Sequence, residues 1–234
     1  NQFYGIELDD FAHEVAILSL WLAEHQMNQE FKKLFGNCTP TLPLKDSGNI
    51  VCGNATRLDW EEVCPKNEGD EIYILGNPPY LGARLQTKEQ KEDMNIVFDG
   101  IDGFNNLDYI SCWFYKATKY LQNYSKNQFA FVSTNSITQG TQVSLLWSHL
   151  LNNDIEISFA HQSFKWTNNA KNNAGVVVVI IGLRNKKNTP KYIFNKEIKI
   201  QSKNINPYLI DADNIYIKDS KVNISNLPIM TYGS

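Results

Sequence analysis

The stretch EIYILGNPPYLGAR, residues 71–84, decides the fold. EIYIL (71–75) has the length and the β-branched, aromatic content of a buried strand. It stops at Asn77-Pro78-Pro79-Tyr80. A proline pair belongs in neither a sheet interior nor a helix interior, because each ring removes an N–H and fixes φ near −65°. The tetrapeptide therefore reads as a rigid, exposed turn at the carboxyl end of a strand, the edge where open α/β sheets bind ligands.

On either side, FYGIEL (3–8) reads as a short strand ending in acidic residues, and Asp9 or Asp10 is placed to cap a helix bearing Phe11, Val15, Leu18 and Leu22. Residues 31–48 read as loop and NIVCGN (49–54) as a strand. Residues 81–106 are polar and glycine-containing and read as a long functional loop or lid. Helical spacing returns at Ile110, Phe114, Ala117 and Leu121; FAFVS (129–133) is a strand and Val143–Leu151 suits a helix. IEISFAH (155–161) and VVVVII (176–181) then follow as two strands close together. This order describes an α/β domain with a mostly parallel sheet and an antiparallel hairpin at its C-terminal end. After residue 185 the pattern loosens around Pro190, Pro207 and Pro228, giving a division into residues 1–184 and a linker or second region over 185–234.

The chain has 234 residues, 42% of them hydrophobic and 20% charged, enough for a large core. The longest apolar run, GVVVVIIGL (175–183), falls far short of the ~20 residues needed to span a bilayer. NQFYGIELDD has neither the basic nor the apolar part of a secretory leader, so none is expected. Cys38, Cys52, Cys64 and Cys112 show no metal-ligand spacing, and the free thiols and absent leader lead us to expect a cytoplasmic protein with no metal centre. His13, His25, His149 and His161 are scattered, and no nucleophile elbow is present, which disfavours a hydrolase.

The net charge of −3 conceals an asymmetry. Residues 1–108 carry 8 Lys/Arg against 19 Asp/Glu, whereas residues 165–203 carry nine basic residues against Glu197 alone. A basic segment on an acidic chain is either a footprint for a polyanion or a solvated lysine-rich face.

The turn itself offers chemistry. The Asn77 side-chain oxygen and the Pro78 carbonyl are two acceptors on a stiff backbone, suited to an amino group with two hydrogens. Tyr80 offers a face for a planar base, a contact worth ~1–3 kcal/mol. An exocyclic adenine amine is a poor nucleophile because its lone pair is delocalised. Two acceptors drawing on its hydrogens localise that pair for attack on an electrophilic methyl, by positioning and electrostatic pre-organisation. At the neighbouring strand ends, Glu7, with Asp9 as competitor, is placed to bind ribose hydroxyls. Asn54 is placed to meet an adenine amino group; Asp59, five residues past its strand, suits a turn cap better.

GIELDD, GNATRLDW, ILGNPPY, AFVSTNSITQG and SFAHQSFKW, in this order and spacing, resemble the amino-methyltransferase fold of adenine-N6 DNA methyltransferases. More narrowly, they resemble the bifunctional type II restriction-modification enzymes, in which endonuclease, methyltransferase and target-recognition parts share one polypeptide. The resemblance covers about residues 3–184 and implies a Rossmann-like S-adenosylmethionine-dependent fold. It implies catalysis by Asn77, Pro78, Pro79 and Tyr80, cofactor binding by Glu7, Asn54 and Ala55, and base stacking by Tyr80 and Phe164, with Trp166 a near rival of Phe164. Lys165, Lys171, Arg184, Lys186 and Lys187 would face the phosphates of double-stranded DNA. The chain departs from the family at its start: the glycine-rich loop and first strand expected before Glu7 are missing. The isolated fragment is therefore expected to bind S-adenosylmethionine weakly or not at all, and to be inactive. RNA or a protein glutamine as methyl acceptor, and a non-catalytic nucleic-acid-binding fragment, stand as alternatives.

Overall fold

Asp9 ends the first strand and starts the first helix in one step. Strand β1 (Tyr4–Glu7) pairs in parallel with β2 (Asn49–Cys52), Tyr4 opposite Asn49 and Glu7 opposite Cys52. Between them runs helix α1 (Asp10–Phe35), whose Ala12 N–H is accepted by the Asp9 carboxylate at 2.9 Å, a side-chain N-cap. The helix stops at Gly36, which takes the left-handed conformation open to glycine (φ 84°) and donates its N–H to Lys32. The structure, a computed structural model, describes residues 2–37, 49–122, 126–151, 154–166 and 175–217. α1 thus runs further than the sequence suggests, through Phe35. Its expected core row is not covered by any described element, with Phe11 77% and Leu18 53% exposed.

The second sheet has six strands, in the order β3 (Tyr73–Gly76), β4 (Gln128–Thr134), β6 (Val177–Asn185), β5 (Ile155–Lys165), β7 (Lys191–Asn195) and β8 (Ile198–Ser202). The sheet is mixed rather than mostly parallel. β3–β4 and β5–β7 are parallel; β4–β6, β6–β5 and β7–β8 are antiparallel. The reason lies in connection length. Up to residue 151 the strands are separated by segments long enough to cross over, whereas later links, such as 186–190 and 196–197, are too short for a crossover helix. The expected antiparallel hairpin is present as β5–β6, with its second strand slotted between β4 and β5. The sheet continues past residue 184 through β7 and β8.

Residues 81–106 are not loop throughout. They contain α2's successor, helix α3 (Lys88–Val97), following the one-turn α2 (Trp60–Val63). Thr87 and Gln90 start it with a reciprocal capping box, each side chain bonded to the other's backbone N–H. Only Asp93, Met94 and the following Phe98 are buried there, so the helix reads as polar in composition. Helix α4 (Ser111–Leu121) buries Phe114, Ala117 and Leu121, as its spacing predicts. Phe114 meets Phe129 and Phe131 of β4 edge-on at 5.9 and 5.4 Å and lies 6.0 Å from Trp147. Trp147 closes a π-helical stretch (Val143–Trp147) and donates its indole N–H to the Ile137 carbonyl at 2.7 Å.

Among the described residues no helix is long and apolar enough to cross a membrane. On β6, Gly182 faces Phe159 across the strand pair, and a Cβ built at Gly182 collides with the Phe159 ring. Gly182→Ala is expected to cost about 1–3 kcal/mol of stability through overpacking, read as a lower midpoint in thermal unfolding. An unchanged midpoint would mean that the Phe159 ring turns aside freely.

Candidate active site

The strands put the turn on a firm base. Gly76, the last residue of β3, lies against the core: a Cβ there would sit 3.3 Å from the Phe131 ring and 3.6 Å from Pro78. Pro78 is buried, Tyr80 is half-buried against the core, and Asn77 and Pro79 are exposed. The Asn77 side chain has no hydrogen-bond partner among the described residues, which leaves its oxygen and amide free at an exposed position. Neither proline donates an N–H, and past Tyr80 the chain is tied down at Leu81. Its N–H goes to the Asp108 carboxylate at 2.9 Å, and its carbonyl accepts from Tyr109 N–H at 3.0 Å and Gln86 Nε2 at 3.1 Å. The same Asp108 oxygen accepts Ile110 N–H at 3.2 Å, while Asp108 N–H donates to Gln142. Burial pushes the Asp108 carboxyl above the usual carboxylate range, against the pull of the Ile110 and Leu81 N–H groups.

At the end of β2, Gly53 N–H continues the ladder to the Glu7 carbonyl at 2.7 Å. The Glu7 side chain is exposed at the carboxyl edge of β1. Its rival Asp9 caps α1 instead, and Asp59 caps α2 by accepting Glu61 N–H at 2.8 Å. Asn54 is held from inside the protein. Its Oδ1 accepts both Thr56 N–H (2.9 Å) and the Thr56 hydroxyl (2.7 Å), and its Nδ2 donates to Asp93 (3.0 Å). With both lone pairs engaged, Asn54 offers outward a single amide hydrogen, a donor rather than the acceptor that an adenine amino group needs. The Ala55 carbonyl accepts from Trp60 Nε1 at 2.9 Å, and Lys116 Nζ holds the Thr56 and Leu58 carbonyls at 3.0 and 2.6 Å.

Asp93 is the hub the sequence does not advertise. It is 2% exposed and accepts Tyr109 Oη–H (2.6 Å), Arg57 Nε–H (2.6 Å) and Asn54 Nδ2–H (3.0 Å). Burial pushes its carboxyl up, but the Tyr109, Arg57 and Asn54 hydrogen bonds and the Arg57 charge outweigh it and hold it below its ordinary value. The available signal was a lone carboxylate beside Met94 on the apolar side of a polar helix.

The sheet register separates the remaining predicted residues into two groups. β4 runs parallel to β3, and Thr134 at its end pairs with Val178 of β6, which pairs with Phe164 of β5. Half-buried Phe164 and exposed Lys165 therefore share the rim of the Asn77 turn, three strand spacings or about 14 Å across the sheet. A register shift between His161 and Phe164 re-aims the strand there. Trp166 follows on the same rim, its N–H on the Val176 carbonyl. Arg184 pairs with Gln128, at the other end of the strands, six residues or about 20 Å away. Arg184, Lys186 and Lys187 thus do not join the turn, and the single basic footprint expected from the sequence is divided. Arg184 Nε–H is paired with buried Glu156 at 2.9 Å, with Lys191 on the other oxygen at 2.9 Å. Lys171 lies outside the described residues. Also among the described residues, no cluster of His, Cys, Asp or Glu is suited to hold a metal ion.

A family model described as the MmeI DNA-methyltransferase domain matches residues 1–195. The chain belongs to that family. It is 52% identical over 238 residues to DNA methyltransferase A of Bacillus subtilis (strain 168), a match spanning 100% of this chain and 27% of that protein. The type IIL restriction-modification enzyme MmeI, solved in complex with DNA, is 42% identical and superposes with a TM-score of 0.88 over 97% of this chain and 31% of its own. The chain thus spans under a third of the length of these relatives. In this MmeI-type domain the ionic hub makes an acid-sensitive prediction. The stability Asp93 contributes is present above its ordinary pKa and lost as pH falls through its depressed one. Asp93→Asn should cost about 1–3 kcal/mol at neutral pH by weakening a buried three-donor acceptor. It should also flatten the loss of stability below about pH 4 in acid-unfolding curves. Parallel acid curves for the two proteins would contradict this.

Proposed function

We propose that this domain transfers a methyl group from S-adenosylmethionine to the N6 amino group of an adenine flipped out of double-stranded DNA. The observation that carries the reading is the exposed Asn77, its side chain without a partner among the described residues, on a turn with buried Pro78 and pinned just downstream at Leu81. The Asn77 oxygen and Pro78 carbonyl accept the two amine hydrogens, Tyr80 stacks on the base, and Phe164, farther along the same rim, supplies a second ring. Flipping is required because the reacting nitrogen is unreachable within the stack.

The residues present fit the methyl donor. Exposed Glu7 supplies a carboxylate for ribose hydroxyls, and Asn54 supplies its remaining amide hydrogen to a ring nitrogen of the donor's adenine, beside Ala55. The bound donor supplies an electrophilic methyl carbon on a sulfonium. The adenine nitrogen held by Asn77 and Pro78 would take up that methyl, S-adenosylhomocysteine would leave with the electron pair of the broken carbon–sulfur bond, and the nitrogen's extra proton would pass to water. Lys165 faces the DNA phosphates beside the base, with Lys171 in the connection that follows. The Rossmann-like assignment, residues 1–184 as the catalytic part and 185–234 as the approach to target recognition belong to the same reading. Endonuclease and target-recognition parts on one larger polypeptide are in keeping with the length of the relatives.

Labelled-methyl transfer by the full-length parent protein to unmethylated DNA tests this. The label should be recovered as N6-methyladenine, and Asn77→Ala should lower kcat by about 10²–10³-fold, the scale of losing one pre-organised polar contact to the reacting group. Label on cytosine, RNA or protein, or full activity in Asn77→Ala, would overturn the proposal.

A further inference from the structure

Two residues that the reaction itself does not use stand between the two halves of the site. Asp108 and Tyr109 are adjacent in sequence and only 6% and 5% exposed. Toward the turn, the Asp108 carboxylate takes Leu81 N–H at 2.9 Å and Tyr109 N–H takes the Leu81 carbonyl at 3.0 Å, so both backbone groups of the residue after Tyr80 are fixed by this dipeptide. Toward the β2 loop, Tyr109 Oη–H reaches Asp93 at 2.6 Å, on the same carboxylate oxygen that receives Asn54 Nδ2 at 3.0 Å. We infer that Asp108 and Tyr109 are positioning residues that lock the base-binding turn to the donor-side loop, so that donor binding and DNA binding strengthen each other.

The energetics favour a lock over a hinge. Displacing the Asn54 loop alone withdraws a donor from a buried carboxylate, and displacing the turn alone withdraws Leu81 N–H from another. Each leaves a buried charge under-bonded, a cost that falls on the full desolvation of that group. The two segments therefore move together or not at all. A ligand that orders one pre-orders the other, and by linkage the effect is reciprocal. Asp108 is further braced by Gln142, which accepts Asp108 N–H at 3.0 Å and donates to the Asn106 carbonyl at 2.6 Å.

This inference rests on the proposed roles of Asn77–Tyr80 and of Glu7 and Asn54. In the full-length parent protein, calorimetry with S-adenosylhomocysteine as probe, without and with a duplex that the wild type methylates, gives an affinity ratio. The wild type is expected to bind about tenfold tighter in the presence of duplex, within the usual range of coupling between sites. Tyr109→Phe, which removes only the hydroxyl, should bring that ratio to within about twofold of one. A merely architectural tyrosine would lower stability, or both affinities, and leave the ratio intact. Asp108→Ala should abolish the ratio and Asp108→Asn, which keeps an acceptor for Leu81 N–H, should restore it, a pair that decides the matter even if Tyr109→Phe fails to fold. A wild-type ratio of one, or a full ratio in both Tyr109→Phe and Asp108→Ala, would overturn the lock. Full methylation by Asn77→Ala would instead sink the underlying site assignment, whatever the ratio.

Discussion

A turn built on two prolines gives up two backbone donors, so its geometry leans on the N–H that follows the tetrapeptide. That N–H belongs to Leu81, and it is bonded to the buried carboxylate of Asp108. On its upstream side Gly76 lies close to the Phe131 ring of the aromatic core, and Pro78 is buried. The turn is thus fixed at both ends by different physics, apolar packing before it and a charge-assisted hydrogen bond after it. Between these anchors Asn77 and Tyr80 are presented at the carboxyl rim of the sheet with little freedom to lose on binding a ligand.

The same rim is where the order of strands matters. β5 runs in the direction of β3 and β4, which brings Phe164 to the level of the turn, and β6 enters between β4 and β5 in reverse, which sends Arg184 to the opposite end. At that far end Glu156 lies between Arg184 and Lys191, joining β5, β6 and β7 by charge. Two basic residues of one stretch of chain thereby come to opposite ends of the sheet. Lys165 stays at the rim of the turn, and Arg184 closes the back of the sheet.

Much of this was legible in the sequence because it is local. The strand-ending proline pair, the β-branched run of β6, the spacing of Phe114, Ala117 and Leu121, and the capping aspartates Asp9 and Asp59 each follow from one residue's backbone or side-chain chemistry. What was illegible is relational. Helix α3 buries so few residues that its composition resembles a loop, and only the Thr87–Gln90 capping box betrays it. The division of the basic run depends on which neighbour β6 chooses, and the mixed sheet depends on links too short to cross over. The hub at Asp93 depends on three donors that are 16, 36 and 39 residues away. The uncovered apolar row of α1 and the open outer edge of β3, where Leu75 is 78% exposed, answer to no described element.

The account stands or falls on whether the turn is as stiff as its anchors imply. Residue-resolved hydrogen exchange at the Leu81 amide of the full-length protein reads this directly. If the Asp108 bond governs the site, Leu81 N–H should exchange as slowly as the amides of β4 in the core, and Asp108→Ala should release it. Exchange at Leu81 as fast as at an exposed loop in the wild-type protein would show a turn that is free to move, and would contradict the claim that it is pre-organised.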